Sequence, residues 1–266
     1  LFIHYLSLNP RKNFLNYAMK RLLLLLLFPC TAIAQQIHAH NDYEKPVPFV
    51  EAYQQQAASI EADVFLVNNQ LMVAHTKEEI RPGRTLDSLY ILPIVRLFEQ
   101  HKGKVSPDRR YTFQLMIDVK GESVASVKQL METIAPYRQC FDRTMNPLAI
   151  QLVISGNRPP VATWVDYPPY IQFDGRPTEV YDKETLRHVA LISDTFLSYS
   201  RWKGEGELPD AERDNLKRII KRVKNQEKPV RFWNTPDTPL AWKQLSKLGV
   251  DYINTDRVRE CAEVIR

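Results

Sequence analysis

The chain has 266 residues, with 36 Lys and Arg against 31 Asp and Glu, a formal net charge of +5 and a sequence pI near 9.0. Its 44% hydrophobic and 25% charged residues are the make-up of a globular protein, which excludes a disordered or fibrous chain. No run of Lys and Arg is dense enough to bind nucleic acid or an anionic membrane: around KRIIKRVK, 217–224, Leu216, Ile219, Ile220 and Val223 recur at helical spacing, the pattern of a helix with one solvated face.

Residues 1–18 contain no initiating Met and no recognisable pattern, and read as translated upstream sequence. From Met19 the chain has the three parts of a secretory signal: Lys20 and Arg21, the apolar run Leu22 to Phe28, and the small-x-small site Ala32-Ile33-Ala34. The apolar run is too short to span a bilayer. Residues 19–34 are therefore expected to be a signal peptide, the protein to be exported to the periplasm or medium, and 35–266 to be the mature domain. Four basic residues and no acidic one leave with the first 34, so the remainder is nearly neutral. Lipid attachment through Cys30 is not expected, because bulky Phe28 and Pro29 stand where small residues are wanted. Cys140 and Cys261 remain, and export permits a disulfide without defining one.

The stretch Ile37 to Thr76 gathers most of the groups able to do chemistry. In SIEADVFLV, Glu61 and Asp63 stand two apart on a strand and so share one face, while Ile60, Ala62, Val64 and Leu66 make the other face apolar. Paired carboxylates repel unless a proton or cation lies between them, and their oxygens suit a hard divalent ion. His40 and His75 flank the pair, and imidazoles titrate near neutrality, as an acid and a base must. A solvated face of an antiparallel sheet is the plainer reading of Glu61 and Asp63 alone.

Further strands are expected at TFQLMIDVKG, AIQLVISG, PYIQFDG, VALISD, VRFWNT and VDYINTD. A helix follows the first of these, with Ser123 as its cap and Val124, Val127, Leu130, Met131 and Ile134 on one face. Another helix covers DTPLAWKQLSKLG, capped by Asp237 or Thr238 and ended by Gly249. The runs near 60 and 72 are a pair or one kinked strand, leaving eight strands alternating with helices and no Gly-, Ser- or Pro-rich linker. This implies one α/β domain, a single (β/α)₈ TIM barrel in preference to a doubly wound sheet. His40, Asp63, Asp118, Ser155, Asp174, Asp194, Asn234 and Asp256 all fall at or just after strand carboxyl ends, the rim where such barrels build their sites. Asp118 and Lys120 repeat the i, i+2 relation, so Asp118 could complete the carboxylate set and Lys120 could offset charge beside it; a structural ion pair is the alternative. The long loop 193–210, with Phe196, Tyr199, Trp202 and Lys203, either recognises substrate or packs on its own aromatics.

These motifs together, HAHNDY, IEADVFL, VAHT, LYILP, IDVK, SGNRP and RFWNTPDTPLAWKQLSKLGVDYINTDRV, resemble the glycerophosphodiester phosphodiesterase and phosphatidylinositol-phospholipase-C-like superfamily of TIM barrels. The form is most similar to the branch that includes the altered-inheritance-of-mitochondria protein 6 group, and it also resembles spider-venom phospholipase D enzymes. The resemblance covers Ile37 to Val258. It implies Glu61, Asp63 and Asp118 as ligands of Mg²⁺ or Ca²⁺, His40 and His75 as acid and base, Lys120 facing phosphate, and His38, Asn41 and Trp233 at the substrate. The substrate implied is a glycerophosphodiester or phospholipid-type head group, attacked by water or by its own neighbouring hydroxyl. The usual His-Arg-Gly after the first strand is here His40-Asn41-Asp42, which removes an arginine contact and leaves His38 and His40 as rivals for one role. Two other readings compete: a barrel that binds a phosphate or lipid without turnover, and a zinc amidohydrolase-type barrel using His38 and His40 as ligands and Asp256 as base. The second lacks further histidines at later strand ends.

Overall fold

In a computed structural model, which describes residues 36–266, the apolar runs become nine strands among the described residues. The expected upstream segment 1–18, the signal 19–34 and Cys30 lie outside the described residues. The strands are β1 (Gln36–Ala39), β2 (Ser59–Val67), β3 (Gln70–Val73), β4 (Gln114–Val119), β5 (Gln151–Gly156), β6 (Ile171–Gly175), β7 (Val189–Thr195), β8 (Val230–Trp233) and β9 (Tyr252–Thr255). Hydrogen bonding runs β1-β9-β8-β7-β6-β5-β4-β2, and β1 pairs with β2 as well, so eight parallel strands close into a barrel. The strand pair near 60 and 72 is a hairpin: β3 runs antiparallel to β2 and lies outside the ring. Its tight turn is made by Asn68 and Asn69, both at positive φ (48° and 59°), as a two-residue turn of that hand requires.

Pleating decides which residues the barrel encloses. Successive side chains alternate between the helix-covered outside and the interior, so Ile60, Ala62 and Val64 join the large core between strands and helices. Met116, Val153 and Leu191 form a separate small apolar cluster. Polar groups surround that plug: His38, Ser59, Glu61, Gln114, Ser155, Asp174, Ser193 and Arg231 are all buried. In an apolar interior each needs a partner, and their bonds to one another are what fix the site.

Helices close the outside. The helix Ser123–Ile134 buries Val127, Leu130 and Ile134, but Val124 is 53% exposed and Ser126 takes an inward place, its hydroxyl bonding Glu122 O. Its N-cap is Glu122 rather than Ser123, and it makes no side-chain cap bond. Thr238 caps Pro239–Leu248 by accepting from Ala241 N, and Gly249 ends that helix at φ 88°. Helix Asp210–Lys224 buries Leu216, Ile219, Ile220 and Val223, as their spacing requires. Phe196 and Trp202 of the 193–210 loop are buried, and Glu212 accepts from Ser200 Oγ and from the amides of Arg201 and Trp202. That loop packs onto the main core through Phe196 and Trp202, and Tyr199 lies edge-on to Phe232 of β8. Cys140 and Cys261 are buried free thiols. Among the described residues no helix is long and apolar enough to cross a membrane.

Candidate active site

The carboxyl ends of the strands enclose a cavity of about 620 Å³ lined by His40, Asn41, Glu61, Asp63, His75, Asp118, Lys120, Gly156, Asn157, Arg176, Trp233 and Asn234, among others. On its floor β2 contributes Glu61 and Asp63, and β4, in register with it at Asp63 opposite Asp118, contributes the third carboxylate. One oxygen of each lies within 4.8 Å of the others. Lys120 Nζ stands 3.0 Å from Asp63 Oδ2 and 3.0 Å from Asp118 Oδ1. Asp63 Oδ1 is buried without a hydrogen-bond partner among the described residues. Burial and the charge of Glu61 push Asp118 up to about 6 and raise Asp63 too.

Glu61 stays ionised for a reason that lies beneath it. Burial alone would raise its carboxyl, but Arg231 Nη1 at 3.0 Å and His38 Nε2 at 2.8 Å hold it well below the usual carboxylate range. Ser59 Oγ, which accepts from Gln114 Nε2 (2.9 Å), donates to His38 Nδ1 (2.6 Å). With Nδ1 accepting, Nε2 carries the hydrogen and donates it to Glu61. Burial, with help from Arg231, lowers His38 to about 4, so the ring is neutral. The line from Gln114 through Ser59 and His38 to Glu61 is thus fully directed, and Arg231, only 3% exposed, supplies the countercharge.

The two rim histidines share one device. His40 Nδ1 lies 2.8 Å from Asp256 Oδ1, and a carboxylate can only accept, so Nδ1 holds the hydrogen and Nε2 is left free, 3.8 Å from Glu61 Oε1. Burial disfavours its charged form, but the Asp256 bond and the charge of Glu61 outweigh this and raise it above the ordinary value. His75 Nδ1 lies 3.2 Å from Asp63 Oδ2 and 3.0 Å from the Tyr43 hydroxyl, which donates to the same Asp63 oxygen at 2.7 Å. Its Nδ1 therefore donates as well, leaving Nε2 open.

The structure brings nearly all the expected residues together. His40, Asn41, Glu61, Asp63, His75, Asp118, Lys120 and Trp233 line one cavity. His38, expected at the substrate, is instead wholly buried behind Glu61 and reaches no cavity surface. Both its ring nitrogens are engaged and a guanidinium nitrogen sits 2.7 Å from Nε2, so it has no lone pair for zinc and the amidohydrolase reading fails. The 193–210 loop contributes no residue to the cavity. Tyr43, Asn157, Arg176 and Arg231 were missed. Arg231 could have been found: it stands two before Trp233 on the same strand, hence on the same face. Tyr43 lies in the short 3-10 turn Asp42–Glu44 and Arg176 in the loop after β6, where no periodicity announces direction.

The fold is a closed parallel (β/α)₈ barrel with a cluster of carboxylates at its carboxyl rim. A glycerophosphodiester phosphodiesterase from Parabacteroides distasonis shares this fold, with a TM-score of 0.56 and 14% identity over 87% of this chain and 96% of that one. The profile of the AIM6-like phosphodiesterase domain matches residues 28–160, and that of the glycerophosphoryl diester phosphodiesterase family matches 229–258. The chain belongs to the AIM6-like phosphodiesterase domain family. Among its relatives are altered inheritance of mitochondria protein 6 from Eremothecium gossypii, 26% identical over 84% of this chain and 68% of the relative, and its homolog from Arthroderma benhamiae, 28% identical over 84% and 81%. The relatives' names state no reaction.

Proposed function

We propose that this chain is a divalent-metal-dependent phosphodiester hydrolase acting on a glycerophosphodiester or phospholipid-type head group. The observation that carries the reading is the juxtaposition of three carboxylates with two histidines, each fixed through Nδ1 with Nε2 free, in one cavity. The donor set fits a hard cation: oxygen donors converge from two strands, and the buried Asp63 Oδ1 accepts from no described residue. Mg²⁺ or Ca²⁺ held by Glu61, Asp63 and Asp118 would supply positive charge against the non-bridging phosphoryl oxygens.

The chain's own groups perform the proton transfers. Asp256 favours the imidazolium of His40, so His40 holds a proton at Nε2 and delivers it to the leaving alkoxide. His75, with its hydrogen directed at Asp63 and Tyr43, presents the Nε2 lone pair and takes the proton of the attacking hydroxyl, whether that of water or of the substrate. Lys120 offsets the carboxylates at their open side, and Trp233 offers an apolar wall. Arg231 and His38 keep Glu61 anionic and fixed in place.

A reading as a non-catalytic phosphate-binding barrel draws on one observation: Lys120 already lies between Asp63 and Asp118 as a built-in countercharge. Hydrolysis of a panel of glycerophosphodiesters and lysophospholipids, with Mg²⁺, Ca²⁺ or chelator, separates the two. Metal-dependent turnover is expected, with ³¹P spectra distinguishing a monoester from a cyclic product. Phosphate binding without turnover under every condition would favour the binding barrel.

A further inference from the structure

A phosphodiester anion that enters a cavity floored by three carboxylates needs a cation that those carboxylates have not already engaged. Besides the histidines, Lys120, Arg231 and Arg176 are the cationic residues lining the cavity. Lys120 bridges Asp63 and Asp118. Arg231 is buried against Glu61, His38 and Met116, and its Nε is buried with no partner among the described residues. Arg176 differs from both. It follows β6, its side chain is 21% exposed, and its contacts run through Nη1 alone: Asp174 Oδ2 at 2.8 Å, Gly175 O at 2.9 Å, Ser193 Oγ at 3.1 Å and Asp174 O at 3.2 Å.

Its backbone is held just as firmly. Arg176 N donates to Glu179 Oε2 (2.9 Å) and Tyr181 Oη (2.7 Å), and Arg158 grips Glu179 with both terminal nitrogens. Asp174, fully buried, accepts at Oδ2 from Ser155 (2.9 Å) and Ser193 (2.6 Å) and so cannot swing away from the guanidinium. Nε and Nη2 make no hydrogen bond to a described residue. A guanidinium fixed at one corner, with a two-donor edge free, matches two oxygens of one phosphoryl group.

Building on the phosphodiesterase reading, we infer that Arg176 is a substrate-binding residue whose Nε–Nη2 edge takes two oxygens of the phosphoryl group, with Asp174 and Ser193 as its positioning residues. Lysine at this place keeps the charge opposite Asp174 and loses the fork, whereas removing the charge alone would strand Asp174 in the interior. The test therefore uses Arg176→Lys and the pair Arg176→Met with Asp174→Asn, which removes both charges. Circular dichroism confirms folding, inorganic phosphate is titrated calorimetrically with Mg²⁺ present, and steady-state hydrolysis of bis(p-nitrophenyl) phosphate is measured. Both variants should bind phosphate about tenfold or more weakly, the loss expected for a charge-assisted bond, and raise KM by a similar factor with a smaller fall in kcat. Phosphate affinity and KM equal to wild type in Arg176→Lys overturn the assignment and leave the hydrolase reading standing. A wild-type chain that neither binds phosphate nor hydrolyses the diester overturns both.

Discussion

At the scale of single residues, the roles of the histidines follow from what holds each Nδ1. His40 and His75 donate from it to carboxylates and leave Nε2 open to the cavity; His38 accepts there from Ser59 and uses Nε2 on Glu61. Changing His40 or His75 to Ala should lower kcat by about 10²-fold with the melting temperature little altered. His38→Ala should act instead through stability and metal affinity, because it removes a buried support of Glu61. Steady-state rates and melting curves of the three variants check this, and turnover abolished in His38→Ala but intact in His40→Ala would contradict it. Asp118 supplies a pH dependence whose sign can be worked out. Its carboxyl in the metal-free fold is up at about 6, above the unfolded value near 3.9. Its contribution to stability is therefore complete below that unfolded value and is lost as pH rises through about 6. A bound cation removes the reason for holding the proton, so the stability gained from Mg²⁺ should widen as pH rises through that range. Melting curves with Mg²⁺ and with chelator, across pH, should diverge accordingly; a constant gap would sink the idea.

Among the elements, the strands were legible and the loops were not. The i, i+2 pairs at Glu61 and Asp63 and at Asp118 and Lys120 could be placed because a pleated strand fixes side-chain direction. The 193–210 loop offered aromatics with no such rule, and they pack onto the main core rather than into the cavity. Val124 failed for a smaller reason: near the start of its helix it lies beyond the edge of the covered face, and Ser126 takes a buried place by bonding back to Glu122. In HAHNDY, the departure at Asn41-Asp42 proves structural: Asp42 is buried and accepts from Phe49 N (2.6 Å) and Tyr90 Oη (2.9 Å), tying the segment after β1 to the helical segment Asp87–Ile91. Tyr43 then reaches Asp63 from that loop. The end of β5 is equally constrained. Gly156 has φ 66°, and a Cβ there would lie 2.3 Å from Asp118 Oδ1 and 2.6 Å from Val119 O. Gly156→Ala should push Asp118 out of the cluster and strain the backbone, lowering both the melting temperature and its response to divalent metal. An unchanged metal response in that variant would show that Asp118 does not need this gap.

For the whole molecule, the barrel gathers groups remote in sequence: His40 and its partner Asp256 come from opposite ends of the described chain, where β1 pairs with β9. The alternation of strand and helix and the polar strand ends made that closure legible from the sequence. The buried network under the site was less so, because only closure of the ring brings Arg231 of β8 onto His38 and Glu61. The central claim is that the space between Glu61, Asp63 and Asp118 is a cation site. It is tested most directly by the melting temperature of wild type and Asp63→Asn titrated with Mg²⁺ and with Ca²⁺ after chelator treatment. Binding to the folded state alone should stabilise wild type by about 2.7 kcal/mol at a hundredfold excess over Kd, and Asp63→Asn, which removes a charge and keeps the shape, should respond less. Melting of the wild-type chain indifferent to both ions would contradict the account.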